Sequence, residues 1–204
     1  MIKSYNTIFI DMYGVILKES KGNFIPYTYD HFPESEYERI EKILPPLFTK
    51  AALGEIDSKT FLAELGYIDP EFTMKDYIEN HLTLDKGFIE FAEKVKDKYD
   101  LVLLSNDISD RSRYITEFYG LDKYFKHKII SADLKCRKPQ LEIFDKALEI
   151  VRKRPAECMF IDISVKNLIA AEEVGIAPIL FNRDNDHYYG MVVENFEELY
   201  NLIG

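Results

Sequence analysis

The chain has 204 residues, of which 47% are hydrophobic and 14% aromatic, enough for one substantial core and a small additional domain. Its formal net charge of −10 disfavours general binding to nucleic acid or to an anionic membrane, because both attract basic surfaces. The sequence contains no run of about 18 apolar residues, so no membrane span is predicted. Cys136 and Cys158 lack the spacing of a metal site or a disulfide framework. We therefore expect a soluble, cytoplasmic protein with no nucleic-acid or membrane partner.

The first predicted element is a strand over residues 7–11, within the stretch "IFIDMYGVI". The apolar run ends on Asp11, and the chain is predicted to turn at Gly14. A carboxylate at the end of a buried strand is a candidate nucleophile or metal ligand, although such residues more often cap helices.

Residues 17–84 are predicted to be mainly helical. Helical apolar spacing occurs in "SEYERIEKILPPLFTKAALG", "DSKTFLAELG" and "TMKDYIENHL", whereas the aromatic stretch "FIPYTYDHF" favours an extended conformation. This insertion either covers an edge of the sheet or forms a mobile lid over the C-terminal strand ends, where ligands of open α/β sheets bind. We favour the lid.

From residue 87 onward, predicted helices and strands alternate. The predicted strands are "DLVLLS", "KHKIIS", "ECMFID" and "APILF". The predicted helices are "GFIEFAEKVKDKY", "SDRSRYITEFYG", "PQLEIFDKALEIVRK" with Pro139 in its first turn, "VKNLIAAEEVG" and "NFEELYNLI". This alternation predicts an α/β fold in which a mostly parallel sheet is covered by helices on both faces.

Side chains capable of chemistry follow several of the predicted strands. Because parallel strands place their C-terminal ends on one edge of a sheet, these side chains are expected to converge. They are Asp11 after the first strand, Ser105, Asn106 and Asp107 after "LVLL", Lys138 in "CRKPQ", and Asp162 after "CMFI".

This set of side chains suits phosphoryl transfer. Asp11 is placed to attack phosphorus and form an aspartyl phosphate, while Ser105 and Lys138 hold the phosphate oxygens and neutralise developing charge. The carboxylates of Asp11 and Asp162, with the main-chain carbonyl of Tyr13 and water, offer the hard oxygen ligands that Mg²⁺ prefers. The sequence therefore predicts Mg²⁺ as cofactor and a small phosphorylated molecule as substrate.

Four stretches of the chain resemble the motifs of the haloacid dehalogenase (HAD) superfamily in order and spacing. They are "FIDMYGVI", "LVLLSN", "CRKPQLEIF" and "MFIDISVKNLIAAEEVGI". The details around "RKPQLEIF" and "VKNLIAAEEVGI" are most similar to the capped phosphatases of that superfamily, which act on small phosphoesters. The resemblance implies a Rossmann-like core domain formed by residues 1–16 and 85–204, and a small helical cap domain formed by residues 17–84.

The resemblance also implies a role for each candidate residue. Asp11 would be the nucleophile, Lys138 the charge-neutralising lysine and Asp162 a metal ligand. Ser105 and Asn106 would bind phosphate or substrate.

Two positions depart from the phosphatase pattern. Tyr13 stands where those enzymes carry a second Asp, which protonates the leaving group, a role worth about 10²–10⁴ in rate. Ile163 stands where the fourth motif carries its second acid, which predicts a weakened metal site.

These departures leave three functions open. The first, which we favour, is a Mg²⁺-dependent phosphatase. The second is a metal-free hydrolase resembling the 2-haloacid dehalogenases, which share Asp-x-Tyr-Gly and expel a halide that needs no proton; Arg39 would be a candidate ligand for a substrate carboxylate. The third is a non-catalytic scaffold that binds a phosphorylated ligand or a protein.

Overall fold

The structure, a computed structural model, describes residues 5–20 and 24–204, and its centre is a six-stranded parallel sheet. The strand order is β3-β2-β1-β4-β5-β6, and each neighbouring pair is parallel. The strands are β1 (Thr7–Ile10), β2 (Asp100–Ser105), β3 (His127–Ile130), β4 (Cys158–Asp162), β5 (Ala177–Phe181) and β6 (Met191–Val193). The predicted α/β, Rossmann-like fold is confirmed.

The central strands are buried on both faces, which explains their continuous apolar sequences. Successive side chains enter opposite cores: Ile8 and Ile10 join one hydrophobic cluster, and Phe9 joins the other. The helices that follow the insertion are α5 (Lys86–Val95), α6 (Ser109–Phe118), α7 (Ser131–Leu134), α8 (Leu141–Val151), α9 (Val165–Glu173) and α10 (Phe196–Ile203).

Four α-helices lie between β1 and α5 in the part of the chain that the structure describes. They are α1 (Phe24–His31), α2 (Tyr37–Ala52), α3 (Ser58–Leu65) and α4 (Pro70–His81). The extended conformation predicted for "FIPYTYDHF" is wrong, because α1 occupies this stretch. Its aromatic side chains pack against α4: the Phe24 ring meets the Tyr77 ring edge-on at 5.1 Å, and the Tyr27 hydroxyl donates to Asp76 at 3.0 Å. Tertiary packing thus outweighs the strand preference of the aromatic residues.

One other local prediction is corrected by the structure, and one strand was not predicted. Pro139 precedes α8 instead of lying in its first turn, and it follows a cis peptide bond. Arg137 and Gln140 close this turn, because the Gln140 amide donates to the Arg137 carbonyl at 2.9 Å and the Arg137 amide donates to the Gln140 side chain at 2.8 Å. Strand β6 was not predicted, since three residues carry too short a pattern to identify.

The strand order places the candidate residues at one edge of the sheet. Strand β1 pairs with β2 on one side and with β4 on the other, so that Ile10 is level with both Leu103 and Ile161. Strands β2 and β3 lie on one side of β1, and β4, β5 and β6 lie on the other, so the strand order reverses direction at β1. Open α/β sheets bind ligands at the C-terminal edge beside such a reversal. Among the described residues, no helix is long and apolar enough to cross a membrane.

Candidate functional site

Lys138 links the candidate carboxylates at the C-terminal edge of the sheet. Its Nζ lies 2.9 Å from Oδ1 of Asp11 and 2.8 Å from Oδ2 of Asp162, and it also donates to the carbonyl of Leu104 at 2.9 Å. The sheet brings these residues together from three segments that are far apart in the sequence. The predicted convergence of Asp11, Lys138 and Asp162 is therefore present in the structure.

Burial strengthens the electrostatic coupling within this triad. It raises the pKa of the Asp11 carboxyl, while the Lys138 ammonium acts to lower it. Burial also acts to lower the pKa of Lys138, but the carboxylates of Asp11 and Asp162 outweigh it and raise that pKa above its ordinary value. Lys138 therefore stays charged and offsets the repulsion between the two acids.

Asn106 fixes the main chain of Lys138. Its side-chain amide donates from Nδ2 to the Lys138 carbonyl at 2.8 Å and accepts at Oδ1 from the Lys138 amide at 2.8 Å. This reciprocal pair orients the lysine toward the strand ends. In the structure Asn106 thus positions Lys138, whereas the resemblance implies a phosphate or substrate ligand.

Asp162 is held by donors on both oxygens. Oδ1 accepts from the Ser164 amide at 2.7 Å, and Oδ2 accepts from Asn167 at 2.9 Å as well as from Lys138. Its side chain is fully buried. Asn167, five residues further on in α9, was not identified from the sequence, because an Asn inside a helix gives no sign that it faces a carboxylate.

Two polar atoms at this edge lack hydrogen-bond partners within the described chain. Oδ1 of Asp11 takes the bonds from Lys138 and from the Met12 amide, which leaves Oδ2 unbonded on a side chain that is 13% exposed. The Ser105 hydroxyl oxygen is buried and has no partner among the described residues. Unsatisfied polar atoms beside a buried cation are characteristic of a site that a polar ligand completes.

The donors at this edge fit Mg²⁺ in type but are few. The two carboxylates and the main-chain carbonyl of Tyr13 are hard oxygens, and Mg²⁺ commonly takes one or two carboxylates and keeps several waters. In the described part of the chain, no group of three or more His, Cys, Asp and Glu side chains forms a metal site. Asp11, with an unbonded oxygen, and Asp162 are therefore the side chains suited to hold the ion.

The side chain of Tyr13 belongs to a network with Asp107 and Arg111. The Tyr13 hydroxyl donates to Oδ2 of Asp107 at 3.1 Å, and the Arg111 guanidinium binds Oδ1 of the same carboxylate at 2.5 and 2.7 Å. Burial raises the pKa of the Tyr13 hydroxyl well above its ordinary value. The hydroxyl is thus a committed donor, which makes it a poor source of protons for a leaving group.

Ile163 fills the position of the missing acid with apolar surface. Its side chain packs beside the main hydrophobic cluster and lies directly against Gly14. Gly14 adopts a φ of +77°, and a Cβ atom there would lie 2.7 Å from Cδ1 of Ile163. The turn after Asp11 therefore requires glycine both for its conformation and for this contact.

Arg137 and Phe48 lie at the junction between the sheet and the insertion, and neither was identified from the sequence. The Phe48 ring of α2 lies 5.7 Å from the guanidinium of Arg137 and 5.4 Å from that of Arg111. Arg137 immediately precedes Lys138, which was the signal available in "CRKPQ". By contrast, Arg39 contacts Glu36 and the Leu65 carbonyl within the insertion.

Residues 5–175 match the protein family described as haloacid dehalogenase-like hydrolase. An uncharacterised hydrolase of Schizosaccharomyces pombe is 33% identical over 101 residues, which are 45% of this chain and 44% of that protein. The chain thus spans less than half the length of this curated relative.

Solved structures of low sequence identity share the fold. A HAD phosphatase from Thermococcus onnurineus has a TM-score of 0.78 at 22% identity, over 98% of each chain. A HAD family enzyme from Bacteroides thetaiotaomicron, in complex with magnesium and inorganic phosphate, has a TM-score of 0.75 at 21% identity, over 90% of this chain and 97% of that chain. A dehalogenase has a TM-score of 0.73 at 18% identity, over 99% of this chain and 98% of that chain. Since the family match extends over most of its length, this chain belongs to the haloacid dehalogenase-like hydrolases.

Proposed function

We propose that this hydrolase is a Mg²⁺-dependent phosphatase that acts on small phosphomonoesters. The observation that carries the proposal is the Lys138 bridge between Asp11 and Asp162, together with the buried and unbonded Ser105 hydroxyl at the end of β2. The bridge provides a positive charge where phosphate oxygens would lie. The solved HAD relative with magnesium and inorganic phosphate supports the same ligand chemistry.

In the proposed reaction, Oδ2 of Asp11 attacks phosphorus and forms a P–O bond while the bond to the leaving oxygen breaks. The leaving oxygen takes a proton from solvent, because the Tyr13 hydroxyl is committed to Asp107. Water then attacks the aspartyl phosphate, releasing inorganic phosphate and restoring the carboxylate. Lys138 and the Ser105 hydroxyl stabilise the charge on the transferred phosphoryl group.

Asp11, Asp162 and the Tyr13 carbonyl would hold the Mg²⁺ ion. When bound, the ion neutralises phosphate charge and orients the phosphoryl group. With Ile163 in place of an acid, the chain offers two carboxylates, so a bound phosphate is expected to supply further ligands.

The insertion, residues 17–84, is proposed to be the cap domain that covers this edge of the sheet, with residues 1–16 and 85–204 forming the core. Contacts between the two parts support this role. Ser58 of α3 donates both its amide and its hydroxyl to Asp110 of α6, and Arg137 donates to Thr49 of α2 at 3.1 Å. A covered site excludes water and selects substrates by their leaving groups.

The substitution Asp11→Asn tests the proposed function. Wild-type protein with Mg²⁺ should release inorganic phosphate from an aryl phosphate and, after rapid quenching, carry one phosphoryl group on the peptide containing Asp11. Asp11→Asn should do neither while unfolding at an unchanged temperature. Wild-type kinetics in the variant, under conditions that prevent deamidation, would show that Asp11 is not the nucleophile.

A metal-free dehalogenase is the second candidate. The engagement of Tyr13 with Asp107 favours it, because a halide leaves without a proton and an acid at position 13 is then dispensable. Removal of metal with EDTA separates the two functions. Phosphatase activity should disappear in EDTA, whereas hydrolysis of a 2-haloacid would persist.

We propose the cytoplasm as the location. Cys136 and Cys158 are both free and buried, as expected for a protein from a reducing compartment.

A further inference from the structure

The guanidinium group of Arg137 is a half-buried cation without an acidic partner. Nη1 donates to the Thr49 hydroxyl at 3.1 Å, and among the described residues no carboxylate pairs with this arginine. Residues 1–4 and 21–23, which the structure does not describe, include no Asp or Glu. Burial lowers the pKa of Arg137, and no neighbouring acid acts against that lowering.

Arg111, whose guanidinium also lies near the Phe48 ring, differs from Arg137 in this respect. It is buried and bound by Asp107 through both Nε and Nη2, so its charge is compensated within the protein. The chain has ten more acidic than basic side chains, yet none of them pairs with Arg137. Since a partly buried cation without a counter-charge costs free energy, a ligand anion would stabilise it.

Arg137 lies between the proposed catalytic residues and the insertion, where it could bind an anionic group of the substrate. Its neighbour Lys138 contacts Asp11, and its guanidinium lies against Phe48 of the insertion. A substrate whose phosphate lies at Asp11 would extend its leaving group toward the insertion. Nη1 of Arg137 is used by Thr49, but Nε and Nη2 make no hydrogen bond within the described chain. These two donors form the edge that binds both oxygens of a carboxylate.

We propose that Arg137 binds a carboxylate on the leaving group, so that the preferred substrates are small phosphomonoesters that also carry a carboxylate. The proposal rests on the phosphatase function proposed above. It assigns Arg137 a role in substrate selection that is separate from the charge neutralisation by Lys138.

A matched pair of substrates tests this role. 3-Phosphoglycerate and glycerol 3-phosphate both have a primary alkoxide leaving group and differ in whether the far carbon is a carboxylate or a hydroxymethyl group. The wild-type protein with Mg²⁺ should give a higher kcat/KM for 3-phosphoglycerate. In Arg137→Gln the ratio of the two kcat/KM values should fall by about 10- to 100-fold, as expected for the loss of a charge-assisted hydrogen bond.

Three further variants control the measurement. Thr49→Val removes the hydrogen bond that joins the insertion to Arg137 but keeps the guanidinium, so its substrate ratio should match wild type. Arg154→Gln makes the same charge change at an exposed residue that pairs with Glu157, and its ratio should also match wild type. Arg137→Lys keeps the charge without the planar edge and should give an intermediate ratio. Thermal unfolding of each variant establishes that it is folded.

An equal loss on both substrates in Arg137→Gln, or the same fall in ratio in Thr49→Val, would overturn the proposal in favour of a purely structural contact. If the wild-type protein releases phosphate neither from these two alkyl phosphates nor from an aryl phosphate, the proposed function fails, and calorimetry in the Asp11→Asn background then decides the role of Arg137. Tighter binding of 3-phosphoglycerate than of glycerol 3-phosphate, lost when Arg137→Gln is added, supports it. Equal affinities overturn it.

Discussion

Tyr13 occupies the position where a proton donor for the leaving group is expected, but its hydroxyl donates to Asp107. In the proposed phosphatase reaction, expulsion of the leaving oxygen therefore depends on the intrinsic stability of the departing anion. We expect aryl and acyl phosphates to be hydrolysed much faster than simple alkyl phosphates of the same charge. Tyr13→Asp should raise the alkyl rate by up to roughly 10²-fold and narrow this gap.

Rates on an aryl and an alkyl phosphate, measured in parallel, check this prediction. Tyr13→Phe is the control, because it removes the bond to Asp107 without adding an acid, and it should leave the ratio of the two rates unchanged. A uniform loss of rate in Tyr13→Asp, with the same ratio as wild type, would show that residue 13 does not occupy the place of the acid.

Replacing Gly14 is expected to destabilise the turn after Asp11 for two reasons, which can be measured separately. Gly14→Ala adds both the strain of a positive φ, roughly 1–2 kcal/mol, and a close contact with Ile163. Gly120→Ala is a matched control, because Gly120 has a φ of +64° and open space around it. We expect Gly14→Ala to lower the free energy of unfolding more than Gly120→Ala does, as measured in urea.

Shortening the side chain of Ile163 tests whether its contact with residue 14 causes the larger cost of Gly14→Ala. Ile163→Ala removes the atoms that the new Cβ would meet, so the cost of Gly14→Ala should be smaller in that background. The same cost in both backgrounds would rule out the contact with Ile163 as its cause.

Much of this site was predictable from the sequence, and the reason is strand burial. Asp11 and Asp162 each end a short apolar run, so a parallel sheet had to bring them to one edge. The bond from Tyr13 to Asp107 and the amide pair between Asn106 and Lys138 were not predictable, since they depend on side-chain rotamers. Arg137 was missed for a related reason: the sequence shows a charge but not whether an acid lies beside it.

At the scale of elements, Arg183 holds both connections between the sheet and the insertion. From the loop after β5, its guanidinium donates to the carbonyls of Gly14 at 2.7 Å and Val15 at 3.1 Å, and it pairs with Asp85. Asp85 also caps α5 by accepting from the Gly87 amide at 2.9 Å. The segment that leads from the sheet into the insertion and the segment that leads back are thus both bound to Arg183.

Loss of this contact should loosen the insertion before the sheet. We expect Arg183→Gln to lower the free energy of unfolding by roughly 1.5–3 kcal/mol, the range for hydrogen bonds to charged groups. Limited proteolysis should cut faster within residues 17–84 than in wild type. Arg154→Gln serves as the charge-matched control, and cleavage confined to the sheet domain would contradict the prediction.

At the scale of the whole molecule, Mg²⁺ and phosphate should stabilise the fold together. The carboxyl groups of Asp11 and Asp162 share the single positive charge of Lys138, so a phosphate dianion alone finds little attraction and Mg²⁺ alone finds few ligands. Ligands that bind only the folded state raise its stability, by about 2.7 kcal/mol at one hundred times the dissociation constant.

Thermal unfolding with Mg²⁺, with inorganic phosphate and with both measures this coupling. The rise in melting temperature with both ligands should exceed the sum of the two separate rises, and it should be lost in Asp162→Ala. Strong stabilisation of Asp162→Ala by Mg²⁺ alone would contradict the assigned site.

The central position of β1 has a consequence for how the chain reaches its fold. Thr7 pairs with Asp100 on one side and with Cys158 on the other, so β1 acquires its second neighbour only after β4 has been made. Contacts between such distant segments close large loops and slow folding. Until then, an unpaired apolar strand is exposed to association with other chains. Asp11 therefore comes to lie near Asp162 only after β4 has joined β1, so the proposed site forms late in folding.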